Sequence, residues 1–587
     1  MREEEREFGP DRFVGILKLE VASILMAKKK KKQHRRAGTN HQSQQSIDIT
    51  NQIEVVGQVR AEENNENSGT RIDGEINLCV KESEHDNHLH RMNFYPFAYA
   101  LHDDQLSSRC WYCLAKTDKL KRCRACYKGL FCNENCQTLG WKDHRSECKA
   151  LKIVKIVPNI EVRLLGRIVA RYKAIKLGKD KNSDFYTDRV SKRSILDIWS
   201  HIDRVSQDPA SMKKFNEIYG NLLAFYGSKA MVSRNEVFEL HCRNYINRHA
   251  ISDSEYTEEI GKGLYLDLCA YDHSCRPNAI YTCNGFVATL RSLTDGVNLQ
   301  DLSTTHYSYI DLVNTTQERR IMLRDTWYFE CHCERCDSPN ESLLSSILCP
   351  NCPEERERLC LHGNMPCKDK ISQIITCPKC HMKVPPEYVL EAIAAMRSIS
   401  RVTECCNEMS KEKAIQFLTN FKNRISTILP RINVFFCKII QLLIPLIDAS
   451  ESQKLLDLHL ESEECVRFCF PYNHPAVGIH YRSIGSFYLR CNQPHQALNY
   501  CKMAYEILKF TFGVDHSMTM EVDALLENAL NMIKQSNKSV GDEKEVSATS
   551  GAPSSSSVHA TKESEVIAIA EEEESTSSCN MNIIIDA

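Results

Sequence analysis

The stretch CWYCLAKTDKLKRCRACYKGLFCNENCQTLGWKDHRSEC, residues 110–148, decides how this chain is organised. Its cysteines and one histidine form four short pairs: Cys110 with Cys113, Cys123 with Cys126, Cys132 with Cys136, and His144 with Cys148. A C-x2-C unit on a tight turn presents two thiolates to one ion, and residues four apart share one face of a helix. These ligands suffice for two four-coordinate zinc sites. Because about 40 residues are too few for a self-sufficient core, bound metal must supply much of the folding free energy.

The spacing of these pairs, with Phe131 before Cys132 and Trp141 ahead of the histidine, resembles a MYND zinc finger. The resemblance implies that the pairs interleave. One ion is then bound by Cys110, Cys113, Cys132 and Cys136, and the other by Cys123, Cys126, His144 and Cys148. Since protein ligands take every position, both sites are expected to be structural and not catalytic. MYND fingers bind peptides and sometimes nucleic acid, so the resemblance implies peptide partners, with nucleic acid as an alternative.

The sequence as a whole predicts an intracellular protein with several domains. Its 587 residues, 42% of them apolar and 26% charged, predict about three or four ordinary globular domains. The formal net charge of -2 gives no global argument for a nucleic-acid or membrane-surface protein. The apolar run 434–447 contains Pro445 and is too short to span a bilayer, so it predicts a core helix and no membrane partner. The sequence shows no recognisable signal peptide, so we expect a reducing compartment. There the 29 cysteines are expected to bind metal more often than to form disulfides.

A second cysteine cluster, Cys331-x-Cys333-x2-Cys336, is one ligand short of a tetrahedral zinc site. Upstream of it the chain reads YDHSCRPN at 271–278, YSYID at 307–311 and QERR at 317–320. This combination resembles the catalytic half of a SET domain followed by its cysteine-rich post-SET segment. With a MYND finger upstream, the chain is similar to the SET and MYND domain (SMYD) lysine methyltransferases from about residue 93 to about residue 533.

The resemblance implies roles for individual residues and a cofactor, S-adenosylmethionine. Cys275 becomes the fourth ligand of the post-SET zinc, and Tyr309 is the catalytic tyrosine. The implied cofactor contacts are His201, Asn244, Asp272, His273 and Phe329, and the implied walls of the substrate channel are Tyr245 and Trp327. An aromatic channel suits methyl transfer to lysine, because desolvation favours the neutral amine while aromatic faces attract the arriving ammonium.

A third pair of knuckles, Cys349-x2-Cys352 and Cys377-x2-Cys380, is typical of a zinc ribbon. The alternative is a set of solvent-exposed thiols in an inserted loop, and Cys360 and Cys367 are candidate substitutes as ligands. We therefore expect three zinc sites and leave a fourth open.

The predicted fold class is α+β and multidomain: a SET-type β-fold split by a MYND finger, a post-SET zinc site, and an all-α C-terminal domain. Small residues such as Gly485, Ala497 and Ala504 make that last domain resemble tetratricopeptide (TPR) repeats. The predicted segments are 1–70, a disordered leader with a basic run; 71–109, a divergent N-terminal SET lobe; 110–148, the finger; 149–235, a helical SET insert; 236–311, the catalytic core; 312–340, the post-SET segment; 341–385, the ribbon insertion; 386–535, the TPR-like domain; and 536–587, a disordered tail.

Two functional hypotheses follow. The first is an S-adenosylmethionine-dependent lysine methyltransferase that acts on histones or other proteins in the nucleus and cytoplasm. The second is a non-enzymatic adaptor that recruits protein partners, for example in transcriptional repression. The family's Gly-x-Gly cofactor loop has no match in residues 71–95, which contain only Gly74, and Asp272 replaces the family's asparagine. Both departures favour the adaptor hypothesis, whereas Tyr309, Phe329 and the complete set of post-SET ligands favour the enzyme. The methyltransferase is therefore the prediction and the adaptor the alternative.

Overall fold

A computed structural model describes residues 91–180, 193–256, 258–352, 356–361 and 375–546, with side chains up to residue 536. The predicted leader with its basic run, the segment expected to hold the Gly-x-Gly loop up to residue 90, Cys367 and the tail beyond 546 lie outside the described residues. The chain divides into two units, 1–533 and 534–587. Of the second unit, the structure describes only the end of the last helix, up to Val546. The cysteine groups and the cavity described below all lie in the first unit.

Two antiparallel three-stranded sheets and three two-stranded sheets form the described β part of the first unit. The strands are β1 (Arg91–Phe94), β2 (Ala98–Leu101), β3 (Lys121–Arg122), β4 (Leu130–Phe131), β5 (Arg248–Ser252), β6 (Glu259–Leu264), β7 (Asp272–His273), β8 (Ala279–Asn284), β9 (Val287–Ser292), β10 (His306–Tyr307), β11 (Ile347–Leu348) and β12 (Arg358–Leu359). One sheet has the order β1-β9-β8 and the other β2-β6-β5. The short strands β7 and β10 pair in parallel, with His306 opposite Asp272 and Tyr307 opposite His273.

Strands β2 (AYAL) and β6 (EIGKGL) are buried along their whole length, and most of their residues are small or apolar. Leu101 pairs with Gly261, and a Cβ added at Gly261 would lie 2.3 Å from the carbonyl oxygen of Ala100. Only glycine allows this close approach of the two backbones. The sheet that leads into the candidate site therefore depends on a glycine in β6.

Helices surround these sheets and make up the C-terminal part of the chain. In the described residues they are α1 (Glu134–Leu139), α2 (Trp141–Ile153), α3 (Ile160–Lys176), α4 (Ile202–Gln207), α5 (Pro209–Tyr226), α6 (Arg234–Asn247), α7 (Thr316–Trp327), α8 (Glu334–Asp337), α9 (Pro386–Arg397), α10 (Ile399–Glu408), α11 (Lys411–Ile425), α12 (Val434–Leu443), α13 (Ser452–Cys469), α14 (Pro475–Arg490), α15 (Pro494–Phe512) and α16 (Ser517–Val546). The expected core helix begins at Val434 and continues as a 3-10 turn, Ile444–Leu446. Among the described residues, no helix is long and apolar enough to cross a membrane.

The finger is joined to the β2 strand and to the helical insert by a buried ion network. Arg167 on α3 donates two hydrogen bonds to the carboxylate of Glu147 on α2, at 2.8 and 3.1 Å, and a third to the backbone oxygen of Tyr99, at 2.7 Å. The guanidinium of Arg163 lies 3.5 Å from the same carboxylate, and the hydroxyl of Tyr226 lies 3.1 Å from it. Although burial alone would raise it, the two guanidinium groups lower the pKa of Glu147 to about 2.

The mixed fold class and the all-helical C-terminal region are confirmed. Within that region, helices α14 and α15 pack closely because Gly485 faces Cys501, where an added Cβ would lie 2.5 Å from the sulfur. Ala497 and Ala504 on α15 are fully buried, as expected of small residues between paired helices. The predicted segment boundaries and the TPR likeness stay predictions.

Candidate functional site

The candidate metal ligands form four groups, as the cysteine spacing predicts. Three groups consist of four thiols each, and one consists of three thiols and the imidazole of His144. In each group the four candidate ligand atoms lie within 4.8 Å of one another. The groups are Cys110, Cys113, Cys132 and Cys136; Cys123, Cys126, His144 and Cys148; Cys275, Cys331, Cys333 and Cys336; and Cys349, Cys352, Cys377 and Cys380. The sulfur of Cys113 lies 3.5 Å from that of Cys132, and the sulfur of Cys123 lies 3.9 Å from that of Cys148. Tetrahedral zinc with bonds of about 2.3 Å requires separations of about 3.8 Å, so the donor sets fit zinc.

The second finger site uses His144, which a cage of aromatic rings surrounds. Its Nε2 lies 3.5 Å from the sulfur of Cys126, and the rings of Trp111, Phe131 and Trp141 lie 5.5–6.2 Å away. Burial lowers the pKa of His144 to about 4, so the imidazole is neutral at physiological pH, as a metal ligand must be.

The post-SET group brings Cys275, at the end of the YDHSC motif, against the later triplet. Its sulfur lies 4.0 Å from that of Cys331 and 3.5 Å from that of Cys336. Arg335 in the same segment donates to Glu341 at 2.6 Å and to the backbone oxygen of Cys469 on α13 at 2.8 Å. The cluster thus connects the motif strand β7 to the C-terminal helices.

A cavity of about 450 Å³ lies beside this cluster, between the end of α6, strand β7 and the end of α7. Its size falls within the usual range of small-molecule sites. The lining residues are Arg193, Trp199, His201, Ile246, Asn247, Arg248, His249, Ala250, Cys269, Ala270, Asp272, Tyr281, Tyr307, Tyr309, Trp327, Tyr328 and Phe329. Five predicted site residues are therefore in the lining: His201, Asp272, Tyr309, Trp327 and Phe329.

Tyr309 lies in the wall of this cavity with its hydroxyl fixed. That hydroxyl donates a 2.6 Å hydrogen bond to the backbone oxygen of Tyr271, so the lone pairs of its oxygen can accept from a bound group. Burial, with a smaller effect from the charge of Asp272, raises the pKa of Tyr309 well above its ordinary value. The hydroxyl therefore remains protonated at physiological pH. The ring packs between those of Tyr307, at 5.2 Å, and Trp327, at 5.4 Å.

His273 is close to the cavity but is not in its lining. Its Nδ1 accepts a 3.0 Å hydrogen bond from the backbone N–H of Tyr309, and its Nε2 lies 3.1 Å from the sulfur of Cys275. His273 therefore positions Tyr309 and connects it to the metal cluster, and its role as a cofactor contact stays a prediction.

The structure does not place Asn244 and Tyr245 in the cavity to which the sequence assigns them. Both side chains lie on the body of α6 and outside the cavity lining, and the ring of Tyr245 packs on His241, 6.3 Å away. The asparagine in the lining is Asn247, the last residue of α6, whose amide donates to the backbone oxygen of Trp199 at 2.7 Å. The residues that line the cavity come from the end of α6 and the start of β5. The sequence around Asn244 does not show where the helix ends and the strand begins.

Four further aromatic residues line the site and were not predicted as site residues: Trp199, Tyr281, Tyr307 and Tyr328. Trp199 is 75% exposed and stacks on His201 at 5.8 Å, and His201 contacts the ring of Tyr328 at 5.2 Å. Tyr307 lies deeper, where its hydroxyl is 2.7 Å from Nε2 of His249. Its spacing of two from Tyr309 was a usable signal, since alternate residues of an extended chain share a side.

Comparison with known proteins agrees with this geometry. The family model of the MYND finger matches residues 110–148. The histone-lysine N-methyltransferase SMYD3 of Mus musculus is 26% identical over 437 residues, which cover 74% of this chain and 90% of that protein. The histone-lysine N-methyltransferase ASHR1 of Arabidopsis thaliana is 25% identical over 462 residues, covering 74% and 89%. The N-lysine methyltransferase SMYD2-B of Danio rerio is 28% identical over 258 residues, covering 42% and 55%.

The fold and the site define a class: a mixed α/β protein with an inserted MYND zinc finger, an aromatic cavity and a helical C-terminal region. Together with the similarity along most of its length, these features make the chain similar to the SET and MYND domain (SMYD) lysine methyltransferases.

Proposed function

We propose that this protein is an S-adenosylmethionine-dependent protein-lysine N-methyltransferase. The observation that carries the proposal is the neutral hydroxyl of Tyr309 in the wall of an aromatic cavity, with its proton donated to the backbone. The names of the relatives support the same reaction class. S-Adenosylmethionine would supply the methyl group as an electrophilic sulfonium.

The chain's own residues would bind and orient the reactants. Phe329, His201 and Asp272 line the cavity where the cofactor would bind, and Asp272 would offer a negative charge to a cationic ligand. The rings of Tyr307, Tyr309 and Trp327 would form an apolar wall for the lysine side chain, where desolvation favours the neutral amine. The hydroxyl oxygen of Tyr309 would accept a hydrogen bond from that amine and fix its direction of attack.

The test compares methyl transfer by the wild-type protein with transfer by Tyr309→Phe, using radiolabelled S-adenosylmethionine and a protein extract. This variant keeps the ring packing and removes only the hydroxyl, so transfer should fall about a hundred-fold because the amine loses its orientation. S-Adenosylmethionine binding, measured by calorimetry, should be unchanged. Tyr265→Phe is the matched control, because its hydroxyl also donates to a backbone oxygen, that of Phe286 at 2.8 Å, but lies outside the cavity lining.

Equal transfer by wild type and Tyr309→Phe would remove Tyr309 from this role. A wild-type protein that neither binds the cofactor nor transfers methyl groups would instead support the adaptor function, which the replacement of asparagine by Asp272 favours. Under either function we propose protein partners for the finger and the helical region. Nuclear and cytoplasmic localisation, and a substrate drawn from histones or other proteins, remain part of this proposal.

A further inference from the structure

The fourth cysteine group lies at the junction between the post-SET segment and the C-terminal helices. Cys349 follows strand β11 and Cys352 lies on the turn after it, while Cys377 and Cys380 lie just before helix α9. Cys349, Cys352 and Cys377 are buried and Cys380 is half-buried. Neither the finger family nor the SET-like motifs include these four residues.

The turn that carries Cys377 and Cys380 has the same backbone geometry as the first zinc knuckle of the finger. In the finger, the N–H of Leu114 donates to the backbone oxygen of Cys110 at 3.0 Å, with a positive φ of 63° at Leu114. In the fourth group, the N–H of His381 donates to the backbone oxygen of Cys377 at 2.9 Å, with a φ of 57°. Residues other than glycine rarely adopt this left-handed backbone conformation. Its occurrence at the same position of both turns indicates that the two turns have the same structure.

The match between the two knuckles extends to the flanking residues. The N–H of Cys110 donates to the oxygen of Ala115 at 2.9 Å, and the N–H of Cys377 donates to the oxygen of Met382 at 3.0 Å, five residues on in both cases. An isolated antiparallel bridge then joins Arg109 to Lys116 in the finger. The equivalent bridge in the fourth group joins Thr376 to Lys383.

The sulfur positions also match those of a metal-thiolate site. The sulfur of Cys349 lies 3.7 Å from that of Cys380, and the sulfur of Cys352 lies 3.8 Å from that of Cys377. These separations are far longer than a disulfide bond of about 2.05 Å and agree with the edges of a zinc tetrahedron, about 3.8 Å. All four positions are taken by thiolates, so such a site would be structural.

We propose that Cys349, Cys352, Cys377 and Cys380 bind a fourth zinc ion, which fixes the start of the C-terminal helical region against the post-SET segment. The surrounding contacts support this role. The N–H of Leu348, next to Cys349, donates to the backbone oxygen of Ile428 at 2.7 Å, and the hydroxyl of Tyr388 on α9 donates to the oxygen of Leu348 at 2.9 Å. The zinc ion would thus join the stretch 349–352 to the stretch 377–380, and both stretches adjoin the C-terminal helical region.

The experiment counts zinc ions per full-length chain by native mass spectrometry, with elemental analysis as an independent measure. The wild-type protein should contain four zinc ions, and Cys377→Ser with Cys380→Ser should contain three. The matched control is Cys405→Ser with Cys406→Ser, on helix α10 and outside the four groups, which should retain four. Cys360→Ser should also retain four, because Cys360 is outside the group of ligand atoms.

The double variant should also unfold at a lower temperature than the control variant, while keeping the three other zinc ions. A wild-type count of three would overturn the proposal, as would a double variant that still contains four. The wild-type count alone decides the question if the double variant does not fold. Neither measurement depends on methyl transfer, so the outcome is independent of the proposed enzymatic function.

Discussion

Asp272 is the residue whose chemistry most directly affects the proposed cofactor. Its carboxylate lines the cavity that contains Tyr309, and it is solvent-exposed. A negative charge there should favour the cationic S-adenosylmethionine over the neutral product S-adenosylhomocysteine. We predict that Asp272→Asn lowers the preference for the cation about five-fold, equivalent to about 1 kcal/mol. Calorimetry with both ligands measures this preference, and equal losses for the two would show that the contact is steric or hydrogen-bonded and not electrostatic.

Glu147 is the residue on which the attachment of the finger depends most. It is completely buried, and two buried arginines and a tyrosine share its carboxylate. Glu147→Gln keeps the side-chain shape but leaves the charges of Arg163 and Arg167 uncompensated, which should cost about 3–5 kcal/mol of stability. Chemical denaturation measures the loss. The control is Glu391→Gln, which breaks an exposed ion pair with Arg424 and should cost less than about 1 kcal/mol.

At the scale of elements, the local features were predictable from the sequence and the boundaries were not. Zinc knuckles are encoded within a few residues, so the spacing of Cys110 and Cys113 is enough to assign them as ligands. The sequence did not indicate Asn247 because the cavity begins at the end of α6, and the exact end of a helix is the part that sequence patterns define least well. Tyr328 was missed because it adopts a left-handed conformation, which glycine or asparagine would have signalled but tyrosine does not.

The N-terminal end of helix α12 connects the helical region to the stretch of chain that leads into strand β11. Asn433 is fully buried, and its side chain accepts from the N–H of Phe435 and donates to the backbone oxygen of Ser346, both at 2.9 Å. Asn433→Ala leaves two buried polar groups without partners and should cost about 2–4 kcal/mol. Ser410→Ala removes the exposed cap of α11 and should cost only about 1 kcal/mol. Equal losses for the two variants, measured by denaturation, would contradict a special role for the buried cap.

The stability of the whole molecule depends on pH through its metal sites and its buried histidines. Burial lowers the pKa values of His241 and His249 to about 4, and that of His474 to about 3. The unfolded chain would bind protons at these groups near pH 6.5, so between pH 6.5 and 4 it binds more protons than the folded chain. Stability therefore rises with pH in this window and is lost as the pH falls. Glu147 and Glu161, each with a pKa of about 2, contribute a further loss only below about pH 4.5.

We therefore predict that the thermal midpoint of unfolding falls between pH 7 and pH 5, a range in which the histidines dominate. Each fully titrating histidine contributes up to about 1.4 kcal/mol per pH unit. His241→Phe should reduce the slope, because the ring is buried against Phe215 at 5.2 Å and a neutral aromatic group there takes up no proton on unfolding. Zinc content must be measured at each pH, since protonation of His144 or of the thiolates releases metal and would lower the midpoint by a different route. A wild-type midpoint that is flat from pH 7 to pH 5, with full zinc content throughout, would show that these histidines are not held neutral by burial.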